Sequence, residues 1–365
     1  MPSASRPLAL LVAVTILGAC GRESPVVSIG AAGPWKEGFG AMNRRGLEMA
    51  VQEINDNGLI RGRTVELVAR DDEGDGSTAA RVAAEFVANP AIVAVVGHVT
   101  SGAMAAAAPL YDDGRLAAVA TTATSPDLTG VSPWVFRVIS SDSTNGFDLA
   151  RFAARQGKRR AAIVYENDSY GRGLAESFRR HFQGQVVSLD PIAGDTRDLE
   201  PYVSYYRQVA PDIVFVAGTE ASGMAMLREA RRQNLRTTFL GGDGWTGIVA
   251  DPDAAEGAFV GAPFSPQDPR PEAQKFVTAF RRKYGRMPDG NAALAYDATM
   301  LVARAIDAVG ADRERIRDWL AALDEDDAYV GVTGPIRFRP DGDPVGKALV
   351  MTRVHDGLLL VEGAR

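Results

Sequence analysis

The sequence predicts an α/β protein of two doubly wound lobes, and three observations lead there. From Val26 to about Leu240, short β-branched runs alternate with longer stretches whose apolar residues recur at helical spacing. The alternation restarts at Ala161, so one series of strands and helices is followed by another. Beyond Leu240 a block of helices is followed by strands, which requires the chain to pass between the lobes more than once.

Residues 26–29 read as the first strand. Phe39, Met42, Leu47, Ala50, Val51 and Ile54 then mark one face of a helix that Asn57-Gly58 ends. Strands follow at 65–68, 93–96 and 116–119, with helices over 77–87 and 102–111 between them. The extended segment 134–139 is read as opening the second series, whose strands are 161–165, 185–187, 212–216 and 237–240. Residues 257–262 are extended, and helices cover 273–284, 292–309 and 313–323. The C-terminal strands are 336–338, 348–354 and 358–361, the last two joined as a hairpin through His355-Asp356-Gly357. Crossings near Arg137, Gly261 and Gly334 give two Rossmann-like lobes joined by three hinge crossings. Lobe 1 is then 26–138 plus 263–333, and lobe 2 is 139–262 plus 334–365.

Composition narrows the function. With 46% hydrophobic residues in 365, the chain is neither disordered, collagen-like nor a coiled coil. A net charge of −6, with its Arg residues never in runs longer than a pair, argues against a nucleic-acid clamp, which needs a basic face. The single cysteine, Cys20, excludes an intramolecular disulfide and a Cys-rich metal site. It follows Arg6, an apolar run from Pro7 to Leu17, and Gly18-Ala19, which together read as a signal peptide over 1–19 and a tether over 20–25. The run is shorter than the roughly 20 residues that span a bilayer. Leu17-Gly18-Ala19-Cys20 resembles the bacterial lipobox, which implies lipidation of Cys20 and a body held in the periplasm or at the cell surface, touching the membrane only through that lipid.

In open α/β sheets ligands bind beyond the carboxyl ends of strands, where helix N-termini offer free N–H groups. Two strand ends fit: the one running into His98-Val99-Thr100-Ser101-Gly102, and the one running into Ala120-Thr121-Thr122-Ala123-Thr124-Ser125. Ser101 and Thr124 are placed to donate to a carboxylate, and equally suit helix caps. Asp243, in Gly241-Gly242-Asp243-Gly244-Trp245, can reach a cationic group, with Trp245 walling the pocket. Gly242, Gly244 and Gly247 have dinucleotide-loop spacing, but no helical pattern follows them. The acidic stretch from Asp71 has Val82 where a calcium loop requires Glu. His98, His181 and His355 form no pair at metal spacing, and neither a Gly-x-Ser-x-Gly nor a Ser-x-x-Lys motif occurs. No catalytic residue, metal or cofactor is therefore assigned, and the chain reads as a non-enzyme.

Several motifs carry a family resemblance. Gly30-Ala31-Ala32-Gly33-Pro34, Ala50-Val51-Gln52-Glu53-Ile54-Asn55, Val96-Gly97-His98-Val99-Thr100-Ser101-Gly102, Ala123-Thr124-Ser125-Pro126-Asp127, Tyr170-Gly171-Arg172-Gly173 and Gly331-Val332-Thr333-Gly334-Pro335-Ile336 resemble, in order, the leucine/isoleucine/valine-binding receptors of bacterial ABC importers. That resemblance implies the type I periplasmic-binding fold, a small polar ligand, most simply a branched-chain or other aliphatic amino acid, and an ABC permease as partner. It implies that Ser101 and Thr124 hold the α-carboxylate, that the Thr122 carbonyl and Asp243 take the ammonium, and that Phe39 and Tyr170 line the cleft. Asp243 stands where the family often has Glu, and Thr219 where amino-acid binders carry Tyr. Thr100 replaces a cysteine that some relatives use in a disulfide. The alternative is a sensing module for an amide, urea or other small organic molecule, without transport.

Overall fold

The computed structural model describes residues 25–363 apart from residue 197. The leader 1–19, Cys20 and residues 21–24 of the tether lie outside the described residues. Among the described residues no helix is long and apolar enough to cross a membrane.

The first sheet is built from β1 (Val26–Gly33), β2 (Thr64–Asp71), β3 (Ile92–Val96), β4 (Ala118–Ala120) and β5 (Val135–Arg137). All are parallel, in the order β2-β1-β3-β4-β5. Both faces are covered, so the strands read as continuous apolar runs. Along β1, Val27, Ile29 and Ala31 face one layer and Ala32 the other, as the two-residue period of a strand demands. The first layer holds Leu47 and Ile54 of α1 (Gly38–Asp56) with Leu301 and Ile316 of two later helices; the opposite layer holds Phe86 of α2 (Gly76–Ala88) and Met104 of α3 (Ser101–Asp113).

The second lobe begins with α4 (Asp142–Arg155), and its sheet takes β6 (Arg160–Glu166), β7 (Gln185–Ile192), β8 (Ile213–Ala217), β9 (Thr238–Gly241) and β10 (Phe259–Ala262). Between them run α5 (Ser169–His181), α6 (Glu200–Val209), α7 (Glu220–Arg232) and the short α8 (Pro252–Ala255). Helix α5 packs Leu174 and Phe178 on one face of the sheet, and α6 and α7 pack Tyr206 and Met226 on the other. Each such fully buried side chain contributes about 1.5–3 kcal/mol of transfer free energy.

The chain then returns to the first lobe as α9 (Pro271–Tyr284), α10 (Gly290–Val309) and α11 (Arg313–Ala321). Helix α10 is apolar nearly all round because the sheet lies on one side and α1 and α9 on the other. A small hairpin of β11 (Tyr329–Gly331) and β12 (Gly334–Ile336) follows, and β13 (Val350–His355) with β14 (Leu358–Val361) extends the second sheet antiparallel to β10, in the order β14-β13-β10-β9-β8-β6-β7. Asp356 and Gly357 both have positive φ, the geometry of a two-residue hairpin turn.

Two expectations need correction. Residues 134–139 do not open the second series, because β5 pairs in parallel with β4 as the edge of the first sheet. The third crossing also lies later than Gly334. Gly334 sits at φ 98° in the β11–β12 turn, and Ile336 and Phe338 are buried in the first lobe's core. The Gly342 carbonyl accepts from Arg137 N–H at 3.1 Å, and Asp343 pairs with the Arg137 guanidinium at 2.5 Å, so residues 334–343 remain with the first lobe.

Candidate functional site

A cavity of about 180 Å³ lies between the lobes, where helix N-termini meet at the carboxyl ends of the strands. From the first lobe it is lined by Phe39 of α1, Val99, Ser101 and Gly102 at the start of α3, Thr122 after β4, and Asn291 of α10. From the second it is lined by Asp168 and Tyr170 at the start of α5, Thr219 before α7, and Asp243 and Gly244 after β9.

On the first wall the cap of α3 is Thr100, whose hydroxyl accepts from Ala103 N–H. Ser101 is therefore free of that duty. Its Oγ accepts from Thr124 N–H at 3.2 Å and Ser125 N–H at 3.1 Å, which leaves its own hydrogen as the available donor. Thr122 Oγ1 donates to the Val99 carbonyl at 2.8 Å and so ties the two strand-end loops together. Beneath them His98, fully buried, bonds Asp72 Oδ2 at 2.6 Å and Tyr111 Oη at 2.9 Å. Asp72 also accepts from Gly74 N–H, so the acidic stretch after β2 is a bonded turn tied to His98.

On the second wall the Tyr170 hydroxyl donates to Asp243 Oδ1 at 3.1 Å and accepts from Gly244 N–H at 3.0 Å. Burial pushes Asp243 up to about 6, while the Tyr170 hydrogen bond works against that rise. Burial and then Asp243 push Asp142, the first residue of α4, well above the carboxylate range. Thr219 donates both its backbone N–H, at 2.9 Å, and its hydroxyl, at 2.7 Å, to Glu166 Oε1, so only its lone pairs remain for a ligand.

Two sequence-predicted residues are placed differently. Thr124 is fully buried behind Ser101 and does not line the cavity. Trp245 is not a pocket wall. Gly223 and Gly241 leave a slot in the second lobe's core, the indole fills it beside Ile248 and Val260, and Gly244 takes the place beside the ligand space. Sequence reasoning passed over Val99, Asn291, Asp168 and Asp142. The rule used for Ser101 would have found Asp142, since it too opens a helix just after a strand.

The lobes touch at the rim. Asn291 Nδ2 donates to Thr246 Oγ1 across the cleft at 3.2 Å, and Gly173 of α5 packs against Pro126 of the first lobe. Glu220, at the start of α7, lays its carboxylate against Gly38 of α1, a helix whose own cap residue supplies no side-chain bond. Burial, then Asp289 and Glu37, raises the Glu220 pKa, with Arg286 opposing.

Comparison with known proteins settles the family. The model of a family described as periplasmic binding protein matches residues 27–357. The chain belongs to the periplasmic binding protein family. This binding protein is 29% identical over 318 residues to the leucine-, isoleucine-, valine-, threonine-, and alanine-binding protein of Pseudomonas aeruginosa, covering 84% of this chain and 83% of that one. It is 34% identical to an ABC transporter substrate-binding protein from Desulfitobacterium hafniense solved in complex with leucine, with a TM-score of 0.81 over 92% of this chain and 99% of that one. A solute-binding protein of an ABC transporter from R. palustris, solved with benzoate, matches with a TM-score of 0.85 over 93% of this chain and 96% of that one, at 22% identity, a likeness of fold. The order of the sequence motifs and the two-lobed fold are thus those of the family.

Proposed function

We propose that the protein is the substrate-capturing component of an ABC importer and that its ligand is a small amino acid, with an aliphatic side chain as the first candidate. The observation that carries the reading is the opposed chemistry of the two walls. The first wall offers the Ser101 hydroxyl at the α3 N-terminus, where a negative group gains up to about 2 kcal/mol. The second offers Asp243, held by Tyr170. A zwitterion matches both at once, and a ligand that touches both walls favours the closed form over the open one. Phe39 and Val99 supply the apolar surface for its side chain.

The relatives named for aliphatic amino acids support this reading. The Leu17-Gly18-Ala19-Cys20 stretch supports lipid attachment at Cys20, and the family supports delivery to a permease. Titration calorimetry of the chain from Cys20 onward with leucine, isoleucine, valine, threonine, alanine, benzoate, urea and simple amides tests the ligand. Micromolar binding, about 8 kcal/mol, is expected for at least one of the amino acids. Binding of benzoate with none of the amino acids would remove the ammonium from the reading. Radiolabelled palmitate incorporation that is lost in Cys20→Ser tests the anchor.

A further inference from the structure

The polar side chains that line the second wall, Asp168, Tyr170, Thr219 and Asp243, have no hydrogen to give a ligand at neutral pH. Tyr170 spends its own on Asp243 at 3.1 Å. Asp243 and Asp168 are carboxylates, which accept only, and Asp168 Oδ1 already takes Gly171 N–H at 2.7 Å as the cap of α5. Thr219 is the unusual member, because a threonine placed before a helix normally turns its oxygen back to the first N–H groups of that helix. Here it makes no such bond to α7.

Glu166 accounts for the departure. It ends β6, is buried, and takes on one oxygen, Oε1, both the Thr219 N–H at 2.9 Å and the Thr219 hydroxyl at 2.7 Å. A Cβ on Gly218 would come within 3.0 Å of its carboxyl carbon, so the group lies tight against the backbone that carries Thr219. The two bonds hold the Thr219 hydrogen inside the lobe and leave lone pairs as what its hydroxyl offers the cavity.

An acceptor left bare in a closed cleft costs more than the bond it forgoes. The ammonium of an amino acid meets Asp243, on the loop after β9, whereas Thr219 lies on the loop after β8 and calls for a second hydrogen on the ligand. A second positive charge is ill-suited there, because α5 and α7 both begin at this wall and the positive ends of their dipoles oppose it. A hydroxyl is neutral and has the hydrogen.

We propose that the Glu166 and Thr219 pair makes the cleft selective for small amino acids whose side chain carries a hydroxyl. The inference rests on the amino-acid reading above and narrows it, from a purely aliphatic side chain to one that sets a methyl or methylene against Phe39 and Val99 and a hydroxyl against Thr219. Glu166 does not line the cavity and is a positioning residue, which decides where the Thr219 hydrogen points.

Isosteric pairs test the preference. Calorimetry gives the affinities of the wild type for threonine against valine and for homoserine against norvaline, and the hydroxylated member of at least one pair is expected to bind about tenfold tighter or more. Thr219→Val removes the acceptor and should bring that ratio to within about twofold of unity. Glu166→Ala frees the Thr219 hydrogen and should lower the ratio, a readout that a loss of stability alone does not move. Equal or tighter binding of valine and norvaline by the wild type overturns the inference, as does leucine binding with none of the four, or an undiminished ratio in folded Thr219→Val or Glu166→Ala. Absence of binding by any amino acid overturns the functional reading beneath it, so the two failures are distinct, and the wild-type ratios decide even if a variant does not fold.

Discussion

Asn291 of the first lobe and Thr246 of the second share a buried hydrogen bond of 3.2 Å across the cleft. The Asn291 carbonyl in turn accepts from Asn43 at 3.4 Å, and its side chain also reaches Asp289 at 3.3 Å, so the bridge is anchored in α1 and α10. It exists only when the lobes meet, and it therefore bears on closure.

Thr246→Val removes the acceptor, keeps the volume, and leaves Asn291 its contact with Asp289. A loss of about 0.5–1.5 kcal/mol in the closed form is expected, which is about two- to tenfold in ligand affinity. Unfolding of the ligand-free protein should barely change. Calorimetry with small-angle scattering checks both, and unchanged affinity would show that the bond adds nothing to closure.

Asp243→Ala should weaken amino-acid binding at least tenfold, because a charge-assisted hydrogen bond is worth about 1.5–3 kcal/mol. Ser101→Ala has a second effect, on the first wall itself. It strips the acceptor from the Thr124 and Ser125 N–H groups, at about 1–3 kcal/mol for each buried group left unpaired. A melting temperature lowered by several degrees, together with weaker binding, is the expected signature.

His98→Ala should act on stability alone. It leaves the Asp72 carboxylate and the Tyr111 hydroxyl without their buried partner, a loss on the order of 3 kcal/mol. Denaturant unfolding should register this, while ligand affinity of the folded fraction stays within about twofold. A tenfold affinity loss would give His98 a direct part in the site.

Lys347, near the third crossing, donates to the Thr333 carbonyl and hydroxyl at 2.8 Å each. Burial pushes its pKa down to about 8, against the pull of Asp297. The unfolded chain keeps it near about 10.4, so between about pH 8 and 10 the unfolded state binds more protons. Stability contributed by this group must then rise with pH through that window. Urea unfolding over the range should show the rise in the wild type and its loss in Lys347→Met.

Most of the strands and helices were legible because both sheets are covered on both faces, which gives strong apolar runs, and because the helices between them are amphipathic. Ser101 and Asp243 were singled out at strand ends and helix starts, Phe39 and Tyr170 by the family resemblance, and all four line the cavity. The place of Trp245 was not legible, since it depends on Gly223 and Gly241, one of them distant in sequence, which together make room for a ring. Asn291 was missed for a related reason: α10 follows another helix rather than a strand of the alternating series, and only the meeting of the lobes brings it beside Thr246. The late third crossing was hidden because Gly334 marks a hairpin turn, which local sequence does not distinguish from a hinge.

Gly173 and Pro126 set the aperture of the molecule. A Cβ on Gly173 would fall against the proline ring of the opposite lobe, a rigid group that cannot swing aside as the end of a long side chain does. How far the jaws can shut is therefore governed by atoms that residue 173 lacks. Even a methyl group there would work as a doorstop, holding the mouth ajar and shortening the time a captive molecule stays inside without touching any group that recognises it. The rate of release becomes adjustable at a position remote from the chemistry of selection.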